Sequence, residues 1–224
     1  MADRPILFSA PMIRALLAGR KTQTRRVLKP QPEWLERNGM IAAGWSWGPF
    51  LAYGTESFKR DAAEYAPIAP GDRLWVRETW RSHQAYDDEA PSEMGGDEPV
   101  EYLADGHVET WGWPKMEIPG RTRSSLHIPR WASRLTLTVT DVRVQRLQDI
   151  TYGDTLAEGI EATDIWQRRQ AACLDRNEEC GSVCRGSFQE LWDSINGDGA
   201  WDANPWVAAY SFDVHHCNID SLGG

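Results

Sequence analysis

Apolar residues recur along this chain in two rhythms, one of period two and one of period three to four, and their succession lays out the elements. Pro5 to Phe8 reads as a short strand. Directly after it, Met12, Ile13, Leu16 and Leu17 fall on one face of a helix, with Ser9 placed to cap its start, Pro11 in its first turn and Gly19 where a left-handed residue would end it. Arg73-Leu74-Trp75-Val76-Arg77, entered through the turn Pro70-Gly71-Asp72, reads as a strand. Between Arg134 and Leu147 the alternation of Leu135, Leu137 and Val139, continued by Val142 and Val144, predicts two strands or one long bent strand. Thr151 with Asp154 forms a capping box for a short helix ending near Gly159. Ser187 with Glu190 forms another, ahead of a buried stripe of Phe188, Leu191, Trp192 and Ile195 that Asn196-Gly197 closes. Trp206 to Val214 alternates again, with Trp206, Ala208, Tyr210 and Phe212 on one face.

Two stretches interrupt this order. Residues from about 30 to 68 and from about 82 to 125 show little periodicity and are rich in Gly, Pro and polar residues, so they read as long insertions; Glu101-Tyr102-Leu103 is the one strand expected in the second. Residues 215–224 read as a flexible tail. Short strands interleaved with capped helices imply a single α+β domain over residues 1–224, built on a small β-barrel rather than a parallel sheet. The chain has no strand–Gly-rich loop–helix unit, which excludes the dinucleotide and P-loop classes.

Charge changes the picture more than composition does. The net charge of −9 argues against a protein that coats nucleic acid through bulk electrostatics. Yet no acidic residue lies between Arg4 and Glu33, a stretch that holds Arg14, Arg20, Lys21, Arg25, Arg26 and Lys29. An acidic body with one basic stretch suits a local anion or phosphate contact; a solvated basic face is the plainer alternative. No apolar run approaches the roughly 20 residues of a membrane span, and the N-terminal apolar residues are broken by Ser9 and Pro11, so a cytoplasmic protein without membrane contact is expected.

The densest chemistry sits in Gly19-Arg20-Lys21-Thr22-Gln23-Thr24-Arg25-Arg26, which sets an amine and two hydroxyls among guanidiniums. A threonine hydroxyl needs a base before it can act as a nucleophile, and a lysine with a lowered pKa can be that base. Arg20, Arg25 and Arg26 would lower the pKa of Lys21 if they lie close to it. Among the aromatic residues Trp45, Trp47, Trp75 and Trp80 could stack on a base; Trp80, beside Glu78 at a strand end, is the stacking candidate, whereas Trp75, Trp192 and Trp206 fall at core positions. Cys173, Cys180, Cys184 and Cys217 do not make a disulfide framework. The first three could form a structural zinc clip with Cys217, His215 or His216 as fourth ligand, although the spacing is not that of a common zinc knuckle.

The stretch LLAGRKTQTRR, followed by PGDRLWVRETW, by LTVTDVRVQRLQDITYGDTLAEGI and by WVAAYSFDV, resembles the ASCH family, in particular its longer members common in phages and prophages. The resemblance covers roughly residues 5–30, 68–80, 131–161 and 187–214, and its specific part is the G-R-K-T-x-T block. It implies a PUA-like barrel whose cleft receives a base, a nucleotide or an RNA end. Small ASCH enzymes that hydrolyse N(4)-acetylcytidine use a Lys and a Thr at this K-x-x-T spacing together with a Glu. By position, the resemblance makes Lys21 the base, Thr24 the nucleophile and Glu158 the acid, with Glu161 and Glu78 as the other carboxylates to consider and Ile160 where the family carries its second acidic residue. Arg20, Arg25, Arg26, Glu78 and Trp80 would then bind substrate. The implied activity is removal of an acyl group from the exocyclic amine of a modified cytidine, with no cofactor needed for catalysis. The alternatives are a non-catalytic PUA-like module that binds RNA or a modified base, and a ribonuclease.

Overall fold

A computed structural model describes residues 1–35, 40–45, 48–111, 116–160 and 180–222. In chain order these residues form β1 (Asp3–Leu7), α1 (Ala10–Leu17), β2 (Gln23–Val27), β3 (Glu33–Leu35), β4 (Met40–Trp45), β5 (Gly48–Tyr53), α2 (Gly54–Ala62), β6 (Arg73–Arg77), β7 (Trp80–Arg81), β8 (Val100–Tyr102), β9 (His107–Glu109), β10 (Thr136–Arg146), α3 (Tyr152–Ala157), α4 (Cys180–Asn196) and β11 (Trp206–His215). The protein is a mixture of α and β. One sheet has five strands, two others have three strands each, and none of them is a closed barrel.

The five-stranded sheet runs in the order β1-β6-β10-β11-β2. β1 pairs parallel with β6, the start of β10 pairs antiparallel with β6, and β11 pairs antiparallel with β2. Closure would need a ladder between the end strands β1 and β2, which is absent among the described residues, so the expected small β-barrel is corrected to an open sheet: alternation along a strand reports which face is buried, not which strands meet. The sheets β3-β4-β5 and β7-β8-β9 lie in the two stretches expected as insertions.

The chain divides into two compact units, each assembled from separate segments. Unit 1 comprises residues 1–19, 71–139 and 213–224; unit 2 comprises residues 20–70 and 140–212. Each has its own aromatic core. Trp75, Trp80, Val100, Tyr102, Ile128 and Ile219 pack together in the first, and Leu147, Ile150, Phe188, Trp192, Trp201 and Val207 in the second.

Local chemistry explains most element ends. Ser9 takes the extended N-cap conformation of α1, Pro11 sits in its first turn, and Gly19 has a φ of 69°, the left-handed geometry that releases the chain toward β2. β10 is one continuous strand. The Thr151–Asp154 capping box is present in both directions. Ser187 and Glu190 do not start a helix: α4 begins at Cys180, so both lie inside it. Phe188 and Trp192 are buried as the stripe predicts, but Ile195, in the last turn, is 47% exposed and Trp201 joins the core instead. The C-terminal segment is tied down rather than loose. The Asn218 side-chain amide donates to the carbonyls of Arg130, Trp131 and Ser133, and Ile219 is fully buried. No helix among the described residues is long and apolar enough to cross a membrane.

Candidate functional site

α3 and β2 bring the basic block to a helix C-terminus in unit 2. The capping box starts α3, and Glu158 ends it as the C-cap residue, followed by Gly159 with a φ of 93°. Lys21 forms an antiparallel bridge with Glu158, and the Thr22 N–H donates to the Ala157 carbonyl at 2.8 Å. Arg20 Nη1 donates to the Gly159 carbonyl at 3.1 Å, and Lys21 Nζ to the Glu158 carbonyl at 3.0 Å. Cations on the last carbonyls of a helix satisfy unpaired acceptors and oppose the negative end of its dipole.

Lys21 is completely buried. Its Nζ also donates to Glu158 Oε2 at 2.8 Å and to the Gln23 carbonyl at 2.8 Å, and these three acceptors match the three N–H bonds an ammonium offers. Burial pushes the Lys21 pKa down, Glu158 opposes this, and the charges of Arg26 and Arg25 push the same way as burial. The other oxygen of Glu158, Oε1, accepts from Arg25 Nη1 at 2.9 Å. Arg25 Nη1 also donates to Gln23 Oε1 at 2.7 Å, and Arg25 Nη2 lies 3.1 Å from Asp154 Oδ2. Asp154 in turn accepts from Arg143 Nη2 at 2.6 Å. Burial alone would raise the Asp154 pKa, but hydrogen bonds from Arg143 and Thr151 and the charge of Arg25 hold it down to about 2.

Strand alternation separates this network from Thr24. Gln23 Nε2 donates to Ser211 Oγ at 3.2 Å, and Gln23 is paired with Ser211 in the β2–β11 ladder. Lys21, Gln23 and Arg25 therefore share one face. Thr24 is paired with Tyr210, so Thr24, Arg26 and Tyr210 lie on the other. Thr24 is buried there, and Arg26 is half-buried with its pKa lowered by burial against the opposing effects of Glu158 and Tyr210. A cavity of about 220 Å³ opens on this side, lined by Arg26, Leu28, Lys29, Pro67, Ile68 and Tyr210 among others.

Glu78 and Trp80 belong to unit 1. Glu78 is bound in bidentate fashion by Arg134, at 2.8 and 2.9 Å, and Arg134 also holds Asp105 at 2.9 and 3.0 Å. Burial pushes the Glu78 pKa up, against the pull of Arg134. Trp80 is completely buried in its unit's core with the Arg123 guanidinium 5.4 Å from its ring centroid, which corrects the expectation of a stacking platform: no face of the ring is open to a base. Trp75, Trp192 and Trp206 are buried, as their spacing predicts.

Glu161, Trp47 and Cys173 lie outside the described residues, as do the side chains of Trp45, Cys180 and Cys184, so the zinc clip falls there too. Cys217 is a half-buried free thiol, and His215 Nε2 is 3.0 Å from Thr138 Oγ1. Among the described residues no group of three or more His, Cys, Asp and Glu side chains could hold a metal ion. The residues that sequence reasoning missed are Gln23, Asp154 as a charge partner, Arg143, and the cavity lining of Lys29, Pro67, Ile68 and Tyr210. The signal for the first was available, since Lys21-x-Gln23-x-Arg25 is a period-two pattern of polar residues. Compared with protein-family models, with curated proteins and with solved structures, the chain has no match.

Proposed function

We propose that this chain is a base-recognition domain of the ASCH kind, which seats one nucleobase of a nucleotide or RNA on the Arg26–Tyr210 face of β2. The observation that carries the reading is the cavity: aliphatic walls from Leu28, Pro67 and Ile68, one phenol, and two cations supplied by the basic block of an otherwise acidic chain. Its volume of about 220 Å³ lies below the roughly 300–1,000 Å³ of pockets for drug-sized ligands, which suits a single base better than a dinucleotide. The PUA-like character of the core and the cytoplasmic setting are part of this proposal and rest on the sequence.

Amide hydrolysis of an N(4)-acylated cytidine is the second reading, favoured by one observation: Lys21, 137 residues from Glu158 in sequence, is paired with it in a buried site that lowers the Lys21 pKa. Two features set this reading behind the first. Lys21 Nζ is already engaged by two carbonyls and Glu158 Oε2, and Thr24 alternates to the face of β2 opposite Gln23 and Arg25, the residues that share the Lys21 network.

One experiment separates the two. Binding of cytidine 5′-monophosphate and of N(4)-acetylcytidine is measured by NMR titration, and cytidine release from the latter by chromatography. We expect binding without release, weakened roughly tenfold or more in Arg26→Ala, as for loss of a charged hydrogen bond. Release that disappears in both Lys21→Met and Thr24→Val would establish the hydrolase instead. Neither binding nor release would sink both readings.

A further inference from the structure

Arginine and carboxylate groups prefer to meet as a fork, with two parallel N–H···O bonds. Arg25 and Glu158 are both buried and adjacent, yet they meet through one bond only, Nη1 to Oε1 at 2.9 Å. Arg25 Nη2 is directed instead to Asp154 Oδ2 at 3.1 Å, a contact that brings the charges together without hydrogen-bond geometry, and both Nη2 and Nε lack a hydrogen-bond partner among the described residues. Leaving two buried nitrogens, with three N–H bonds between them, unbonded is costly. Something holds the guanidinium out of its preferred fork, and the result is that Glu158 Oε2 remains with Lys21 at 2.8 Å.

We infer that Asp154 is a positioning residue: by drawing one arm of Arg25 to itself, it keeps the second oxygen of Glu158 for Lys21. Asp154 can do so because it is itself fixed from two sides. Its Oδ2 accepts from the Thr151 N–H of the capping box at 3.1 Å, and its Oδ1 accepts from Arg143 at 2.6 Å. A residue that begins a helix thus governs the carboxylate that ends it, one helix length away. Without the Asp154 charge, Arg25 rotates into the bidentate arrangement on Glu158 and Lys21 loses its carboxylate acceptor while keeping the Gln23 and Glu158 carbonyls. The inference concerns the network alone and stands whichever reading of the cavity holds.

The charged groups that act on Lys21 are Glu158 from the end of α3, Arg25 beside it on β2 and, from the other face of β2, Arg26 through its charge, with Asp154 and Arg143 behind Arg25. Each is retained in the test except the one replaced. The Lys21 side-chain resonances of isotope-labelled, full-length protein are followed by NMR against pH in the wild type, Asp154→Asn, Arg25→Gln and the double variant. Asn preserves the shape of the cap; Asp154→Ser serves in its place if the Asn variant does not fold. Asp154→Asn should weaken proton binding at Lys21 roughly tenfold, one pH unit in its midpoint. In the Arg25→Gln background the same change should have no effect, because the intermediary is gone. A purely structural cap would leave the Lys21 titration where it is. An unmoved midpoint in Asp154→Asn, or an effect of equal size without Arg25, overturns the inference.

Discussion

Both units bury a glutamate against an arginine, but the ratio of charges is reversed between them. In unit 2, Glu158 lies between two buried cations, Lys21 and Arg25. In unit 1, Arg134 lies between two carboxylates, Glu78 and Asp105. In each cluster the most deeply buried member of the pair in excess is driven toward its neutral form, with burial the largest cause: the Lys21 pKa is lowered and the Glu78 pKa raised. Burial of Asp105, by contrast, is outweighed by hydrogen bonds from Arg134 and the His107 N–H, which hold its pKa down. A buried ion pair is therefore not one kind of object. Its response to mutation depends on which partner is in the minority, because removing that partner strands two like charges in a low-dielectric setting.

The sharpest way to break this comparison is to neutralise each glutamate. Glu158→Gln leaves Lys21 and Arg25, both fully buried at their side chains, without the carboxylate they share. Uncompensated buried charge should make it cost about 3–5 kcal/mol. Glu78→Gln leaves Arg134 paired with Asp105, so its cost should stay below about 2 kcal/mol. Urea denaturation of the two variants reads the difference directly, and equal losses would refute the minority-partner account.

These consequences were only partly visible in the sequence. The capping box at Thr151 and Asp154 is a local pattern, and it folds as expected because its bonds close within one turn. That Asp154 also meets Arg25 and Arg143 depends on how β2 and β10 are placed beside α3, and no local rhythm encodes that. The same distinction runs through the fold. Strand Arg73–Arg77 and the stop at Gly19 follow from side-chain pattern and from backbone freedom. The open strand order, the helical run ahead of Ser187 and the burial of Trp80 come from long-range packing. Lys21 and Glu158 were brought into one expectation by the family resemblance and lie together in the structure; Glu78 and Trp80 are engaged within the other unit.

A second, smaller contrast is carried by pH. The Asp154 pKa falls from an ordinary 3.8 to about 2 on folding, so the folded state binds its proton less tightly than the unfolded chain. Its contribution is fully present above pH 3.8 and is lost as pH falls through about 2. The difference amounts to about 2 kcal/mol. Glu78 has the opposite sign. Its folded pKa lies above the ordinary 4.5, so its stabilising contribution is complete below that value and is lost as pH rises through the folded pKa. Stability against pH should therefore lose the Asp154 share of its acid-side decline in Asp154→Asn, the shares of Asp3, Asp105 and other lowered carboxylates remaining, and a decline on the neutral side of pH 4.5 in Glu78→Gln. Parallel profiles for the two variants would show that the clusters do not differ as their charge ratios require.

The smallest effect comes from the outer cation of unit 2 and sharpens the comparison by testing exposure instead of charge ratio. Arg143 approaches Asp154 at 2.6 Å, shorter than any contact within the Lys21–Glu158–Arg25 group, but its side chain is 42% exposed. Solvent and ions screen an exposed charge in a way they cannot screen Lys21, so distance is a poor guide to its worth. Arg143→Ala should cost less than about 1 kcal/mol at low ionic strength, because Asp154 keeps its Thr151 and Arg25 partners. The loss should shrink further in 1 M salt, where the screening length is about 3 Å, while that of Glu158→Gln should not. A salt-independent loss in Arg143→Ala would place Arg143 energetically with the buried cations, and the boundary between the inner and outer parts of the cluster would have to be redrawn.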